Sequence, residues 1–307
     1  MIQVLAPRLR LLALIFALGA AAPACAATPG ARALDDVRIL SDDAMQGRAP
    51  GTPGSALARA HILKRFGEIG LAPIGAGFEQ PFSFTRRDGT QVAAINLVAR
   101  IPGTATGGKV MVVSAHYDHL GVKDGEIFNG ADDNASGVAT MLELAKRLKA
   151  QAPEHSVLLV AFDGEERGLL GAREFVKAPP VPLSSIALNL NFDMTARAET
   201  DGHLWVTGTY QHPNLRPILE PLPAVGPVSF AFGKDTPQDE GENNWVSASD
   251  QGAFHDKGVP FLYMGIDYHP DYHRPTDDFE RIRPEVFTAA TELAIAGFRA
   301  LDRSLDR

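Results

Sequence analysis

Cysteine is almost absent: Cys25 is the only one in 307 residues. Downstream of it there can be no disulfide framework, no thiol nucleophile and no thiolate metal ligand. Positive charge is also short, with 29 Lys and Arg against 37 Asp and Glu and a net charge of −8. That balance argues against nucleic acid and anionic membranes as partners. No apolar run is long enough to cross a bilayer; the run from Leu11 to Ala22 falls short of one span. Beyond that leader there is no low-complexity tract, and there is no internal repeat.

What is present begins with the leader itself. Arg8 and Arg10, the apolar run, and then Ala24-Cys25-Ala26 have the layout of a secretory signal. The expectation is a signal peptide over 1–26, a single domain over 27–307, and an exported protein, periplasmic or secreted. Cleavage would remove two basic residues and no acid, taking the net charge from −8 to −10. A lipid anchor on Cys25 is the alternative, although Ala22 and Pro23 match a leucine-rich lipobox poorly.

Hydrophobic periodicity predicts helices over Ala31–Leu40, Ala56–Ile69, His212–Leu222 and Pro284–Leu305, the last opened by a proline. Phe78–Phe84 and Gln91–Ile101 read as antiparallel edge strands, and Leu204–Thr207 as a weaker strand. Lys109–Ala115, Ser156–Phe162, Ile186–Phe192 and Val259–Gly265 are near-continuous apolar runs of the kind found in parallel strands covered on both faces. The fold class that follows is α/β: a three-layer α/β/α sandwich with a mixed, mostly parallel central sheet. Lys234–Asn244 (KDTPQDEGENN) reads as an acidic loop, either solvated or shaping a pocket.

The chemistry-bearing residues follow those buried strands. His116 ends the first run, Glu165 and Glu166 follow the second, Asp193 the third, and His273 lies beyond the fourth. Open α/β sheets bind ligands at this edge. Asp133 sits in GADDNASG, between the first strand and a helix where Asp132, Asp133 and Asn134 occupy capping positions. Nitrogen and oxygen donors without thiolates suit a catalytic zinc site. Two ions fit this set: Asp133 would bridge them, His116 and Asp193 would complete one, and Glu166 and His273 the other. Ions about 3.5 to 4 Å apart can share and acidify one water. Glu165 is then left as general base, and Asp118 as the partner that fixes the His116 tautomer. The remaining histidines, His119 among them, read as surface or packing residues, with His269 inside a segment, Asp267–Asp277, placed to fold over the metals.

The motifs AHYDH (Ala115 to His119), GADDNASG (Gly130 to Gly137), DGEERGLLGAR (Asp163 to Arg173), NFDM (Asn191 to Met194) and YHRPTDD (Tyr272 to Asp278) together resemble the secreted or periplasmic bacterial two-zinc aminopeptidases. These are leucyl-aminopeptidase-like proteins, relatives of the glutamate carboxypeptidase and transferrin receptor ectodomains. The likeness runs from about Leu40 to the C-terminal helix and includes the GR-x-x-GT-x-G stretch near Gly47. It implies two Zn2+ ions per chain on His116, Asp133, Glu166, Asp193 and His273, with Glu165 as base. It also implies a peptide substrate with a free N-terminus and a cis peptide at Asp133-Asn134. Gln251 stands where many relatives have histidine and receives no role, and no protease-associated insertion precedes Lys109.

Other readings share this ligand set. A carboxypeptidase would need a cationic clamp for a free carboxylate, and a glutaminyl cyclase would differ in metal stoichiometry. A binding ectodomain would be expected to have lost ligands. Cobalt or manganese could occupy the same donors.

Overall fold

Runs that are apolar on both faces must be covered on both sides, and that requirement organises the chain. A computed structural model describes residues 1–3 and 30–305. The signal peptide and the Cys25 anchor are expectations that lie outside the described residues. In chain order come α1 (Ala31–Leu40), α2 (Pro53–Ile69), β1 (Ala72–Pro73), β2 (Glu79–Thr85), β3 (Gln91–Ile101) and β4 (Val110–His116). Next are β5 (Gly121–Lys123), β6 (Glu126–Phe128), α3 (Gly137–Ala150), β7 (Ser156–Phe162), α4 (Leu170–Lys177) and β8 (Ile186–Phe192). The chain closes with β9 (His203–Thr207), α5 (Arg216–Leu219), β10 (Ser229–Phe232), α6 (Gln251–His255), β11 (Phe261–Gly265) and α7 (Pro284–Asp302).

The large sheet runs β1-β3-β7-β4-β8-β11-β9-β10, with β2 also paired to β3. Its centre, β7-β4-β8-β11, is parallel, and β2 and β3 make the antiparallel edge. Alternate side chains of one strand enter two cores. Met111 and Val113 of β4 join α1, α2, α3 and α7, whereas Val110 and Val112 join α4 and α6. In the smaller core Phe162, Phe175 and Phe254 meet at centroid distances of 5.7 to 6.3 Å. Each such ring contributes on the order of 2 kcal/mol through burial.

Local signals explain most boundaries. Thr52 caps α2, its hydroxyl accepting the Ser55 N–H at 3.2 Å, Pro53 follows, and Gly70 at φ 74° ends the helix. Other expectations need correction. His212–Leu222 is helical only over Arg216–Leu219, because Pro213, Pro217 and Pro221 lack the N–H that a continuous helix needs. The loop after β4 contains the hairpin β5-β6, turned by Asp124 and Gly125 at φ 53° and 83°, the left-handed pair that an Asp-Gly turn supplies. Before α3 the backbone makes a wide turn over Ala131–Ser136, and of the three expected caps only Asn134 accepts a helix N–H, that of Gly137 at 2.9 Å. The Asp133-Asn134 peptide bond is cis.

Candidate metal centre

The carboxyl ends of β4, β7, β8 and β11 deliver the site. His116 is the last residue of β4, Asp193 follows β8, Glu165 and Glu166 open a short turn after β7, and His273 lies on the loop after β11. Asp133 comes from the wide turn before α3 and stands between two groups. Its Oδ1 is 3.3 Å from His116 Nε2, which is 3.4 Å from Asp193 Oδ1. Its Oδ2 is 3.1 Å from His273 Nε2, which is 3.3 Å from Glu166 Oε2. All five expected ligands thus converge, and Glu165 lines the same cavity of about 390 Å3.

His119, which sequence reasoning places among the packing residues, belongs to this cluster. It is fully buried, with Nδ1 at 2.7 Å from Glu166 Oε1 and 3.8 Å from Asp133 Oδ2. The signal that could have found it is its position three residues after His116 in AHYDH. Asp118 lies beneath rather than in the cavity: its oxygens accept the backbone N–H groups of Glu165 at 3.0 Å and Glu166 at 3.4 Å. The His116 ring nitrogen Nδ1 is nearer the Asp118 carbonyl, at 3.1 Å, than its carboxylate, at 3.7 Å. Asp118 therefore sets the glutamate turn as well as the imidazole.

A second buried layer holds the Asp133 turn. Asp277 accepts the N–H groups of Asp132 and Asp133 at 3.0 to 3.1 Å. Arg48, from the glycine-rich stretch after α1, is completely buried and donates to the carbonyls of Leu40, Tyr117, Asn129 and Gly130. Burial lowers its pKa to about 10, against the opposing pull of Asp133 and Asp277. His269 pairs with Asp132 at 3.1 Å instead of facing the cavity. Gln251 packs beneath the site, where it accepts from Asn191 and donates to the Trp245 carbonyl at 2.8 Å.

Electrostatics set the protonation pattern. Burial drives Glu165 well above the usual carboxylate range; His116 opposes this, and Asp250, Glu166 and Asp193 reinforce it. Burial would also raise Glu166, yet His119 and His273 bring it down to about 2. His273 moves up to about 10, since its contacts with Asp133 and Glu166 outweigh burial. Asp193 Oδ1, Glu166 Oε1 and both His119 ring nitrogens are buried without a hydrogen-bond partner. His119 Nδ1 and Glu166 Oε1 therefore approach each other without hydrogen-bond geometry. Leaving such atoms unmet is costly, and their lone pairs converge as donors to a cation would. The set of imidazole and carboxylate donors fits zinc.

Comparison with known proteins agrees with this geometry. The description of peptidase family M28 matches residues 96–297. The chain belongs to that family. Membership supports a zinc-dependent metallopeptidase, a hydrolase, with His116, Asp133 and Asp193 and, separately, His119, Asp133 and Glu166 clustered closely enough to hold metal. The chain is 33% identical to the alkaline phosphatase isozyme conversion protein of Escherichia coli (strain K12) over 43% of its own length and 41% of that protein. It is 28% identical to aminopeptidase YwaD of Bacillus subtilis (strain 168) over 61% of its length and 40% of that protein. It thus spans about two fifths of these curated relatives. In fold it resembles a glutaminyl cyclase from Porphyromonas gingivalis, with TM-score 0.70 and 22% identity over 89% of this chain and 97% of that one. No helix among the described residues is long and apolar enough to cross a membrane.

Proposed function

We propose that this M28 protein is an exported aminopeptidase that removes the N-terminal residue of peptides, using two zinc ions. The observation that carries the reading is Asp133, whose two oxygens face two separate imidazole–carboxylate groups at 3.1 and 3.3 Å. His116 and Asp193 would hold one ion and Glu166 and His273 the other, with Asp133 shared. Zinc, when bound, supplies Lewis acidity that makes water a competent nucleophile at neutral pH and polarises a carbonyl. Glu165 takes the proton from the attacking water at a carboxylate oxygen, then returns it to the amine nitrogen as the C–N bond breaks. Asp118 keeps Glu165 aimed by holding its backbone N–H.

The cavity wall supports an apolar first residue. Met194, Trp245, Tyr263, Ile266, Tyr268 and Tyr272 surround the space beside the ligands. Trp245 arrives from the end of the acidic segment 234–244, and the Lys234 ammonium lies 4.9 Å from its ring. The acidic side chains of that segment do not line this cavity. The leader supports export, and the likeness to aminopeptidase YwaD supports action at the N-terminus.

A long peptide in four forms tests the reading: unblocked, N-acetylated, C-amidated, and with N-terminal glutamine. Products are followed by mass spectrometry with and without chelator. Stepwise loss from the N-terminus that acetylation and chelator abolish is the expected result. Cleavage that survives acetylation but fails on the amide would mean a carboxypeptidase. Loss of ammonia from the glutamine peptide without cleavage would mean a cyclase.

A further inference from the structure

A second cavity, of about 640 Å3, adjoins the first across Glu166, which lines both. Its other walls include Arg86, Arg87 and Asp88 from the tip of the β2-β3 hairpin, Arg167 from the turn after β7 and Leu170 at the start of α4. All three arginines are exposed, and none pairs with an acidic side chain among the described residues. Arg86 makes one long contact, to the Pro50 carbonyl at 3.4 Å. Elsewhere Arg59, Arg65, Arg147, Arg173 and Arg197 each meet a carboxylate. Three guanidinium groups without an acidic partner thus line one cleft beside the candidate metal centre, in a chain with an excess of acids.

The acids of the cleft are already engaged. Asp88 turns back into its own hairpin, accepting the Thr90 N–H at 2.9 Å, and Glu166 is held by His119 and His273. The cleft therefore presents net positive charge to whatever lies beyond Glu166. Arg167 is the next residue after Glu166, with its Cα about 3.8 Å further on. An extended substrate advances about 3.3 Å per residue, so a cleft that begins at Glu166 lies on the scale of one or two residues from the candidate metal centre. With the aromatic wall of the first cavity holding the first side chain, the cleft across Glu166 is the space left for the peptide beyond the cut.

We propose that this cleft binds a carboxylate on the leaving side of the cut, so that the enzyme favours dipeptides and tripeptides with a free C-terminus. The inference rests on the aminopeptidase reading and narrows its substrate class. Guanidinium groups bind carboxylates through paired N–H donors, which gives preference as well as affinity. The same chemistry could be met by an acidic side chain on the second residue, so the test separates the two sources.

The zinc-loaded protein is assayed with Leu-Ala, N-acetyl-Leu-Ala, Leu-Ala-amide and Leu-Glu-amide, and the same peptides are titrated by calorimetry into its Glu165→Gln form. Hydrolysis of the N-acetyl peptide would mean a carboxypeptidase and overturn the aminopeptidase reading together with the inference that rests on it. The free acid should exceed the amide about tenfold in kcat/KM and in affinity, the scale of one or two charge-assisted contacts. In the double variant Arg86→Gln, Arg87→Gln that ratio should fall to near one, and Arg87→Lys should restore part of it over the glutamine form. Because the ratio is read within one protein, any general loss from the substitution cancels. A ratio near one in the unaltered protein overturns the inference, while hydrolysis of both forms leaves the aminopeptidase reading standing. Tighter binding of the free acid without hydrolysis of any peptide overturns that reading and retains the cleft. Preference for Leu-Glu-amide over Leu-Ala-amide, with no gain from a free C-terminus, overturns the short-peptide claim in favour of acidic second residues.

Discussion

The two halves of the candidate centre are built differently. His116 and Asp193 stand on the ends of β4 and β8 and are 1% and 8% exposed. Glu166 and His273 stand on loops, and the His273 side chain is 38% exposed. Its backbone takes a left-handed φ of 55°, and Tyr272 stacks on its ring at 3.9 Å. Hydrogen bonding to neighbouring strands orients the first pair. Individual contacts orient the second, from Tyr272 to His273 and from the Asp118 carboxylate to the Glu166 N–H. Rigidity on one side and adjustability on the other would give the two ions of the proposed centre unequal hold.

Asp133 joins the halves, so Asp133→Asn should do the most damage. We expect turnover to drop by about 10³-fold or more, the scale of a lost electrostatic or acid–base contribution, with metal content measured in parallel. Retention of both metal and turnover would break the comparison at its centre.

A strand-end carboxylate that faces no ligand group measures what the buried half costs the fold. Asp163 directly follows β7, with its Oδ2 accepting the Ile95 N–H and the Tyr117 O–H, and burial with the nearby Asp118 raises its pKa to about 7. The unfolded chain releases this proton near pH 4, so ionisation favours unfolding. The group's penalty is absent below about pH 4, grows as pH rises towards 7, and is constant above. Asp163→Asn should flatten that decline by roughly 2 to 4 kcal/mol, read from urea unfolding of chelated protein at several pH values. An unchanged slope would show that Asp163 is ionised throughout.

Removing one imidazole from each half compares them directly. His273→Ala should weaken one ion selectively and leave about one equivalent per chain, whereas His116→Ala should weaken the more deeply set ion; elemental analysis after dialysis reads both. Equal losses would erase the distinction. The smallest expected effect is that of Asp118→Asn, about 10- to 100-fold in kcat/KM, because its carboxylate positions the glutamate turn without facing the cavity. An effect as large as that of Asp133→Asn would mean Asp118 contacts metal or substrate.

Legibility follows the same division. The strands carrying His116, Glu165 and Asp193 can be read from their apolar runs to within a residue or two, and the ligand types from what directly follows them. His119 escapes such a reading because a histidine in a polar loop carries no period to say which way it faces. Arg48 reads as part of an ordinary turn, yet it holds four carbonyls, three of them 69 to 82 residues away. The arginine cleft needs two loops to meet: Arg86 and Arg87 lie about 80 residues before Arg167.

By itself the sequence determined the α/β architecture, the side of the sheet that bears the site, and the donor types available there, because burial on both faces demands apolar runs and places polar residues at their ends. Only the tertiary structure decided the distances at which Asp133 faces both groups, that His119 joins them, and that Asp277 and Arg48 hold the turn from below. Those facts depend on distances across loops of unrelated sequence position, which no local pattern of hydrophobicity encodes.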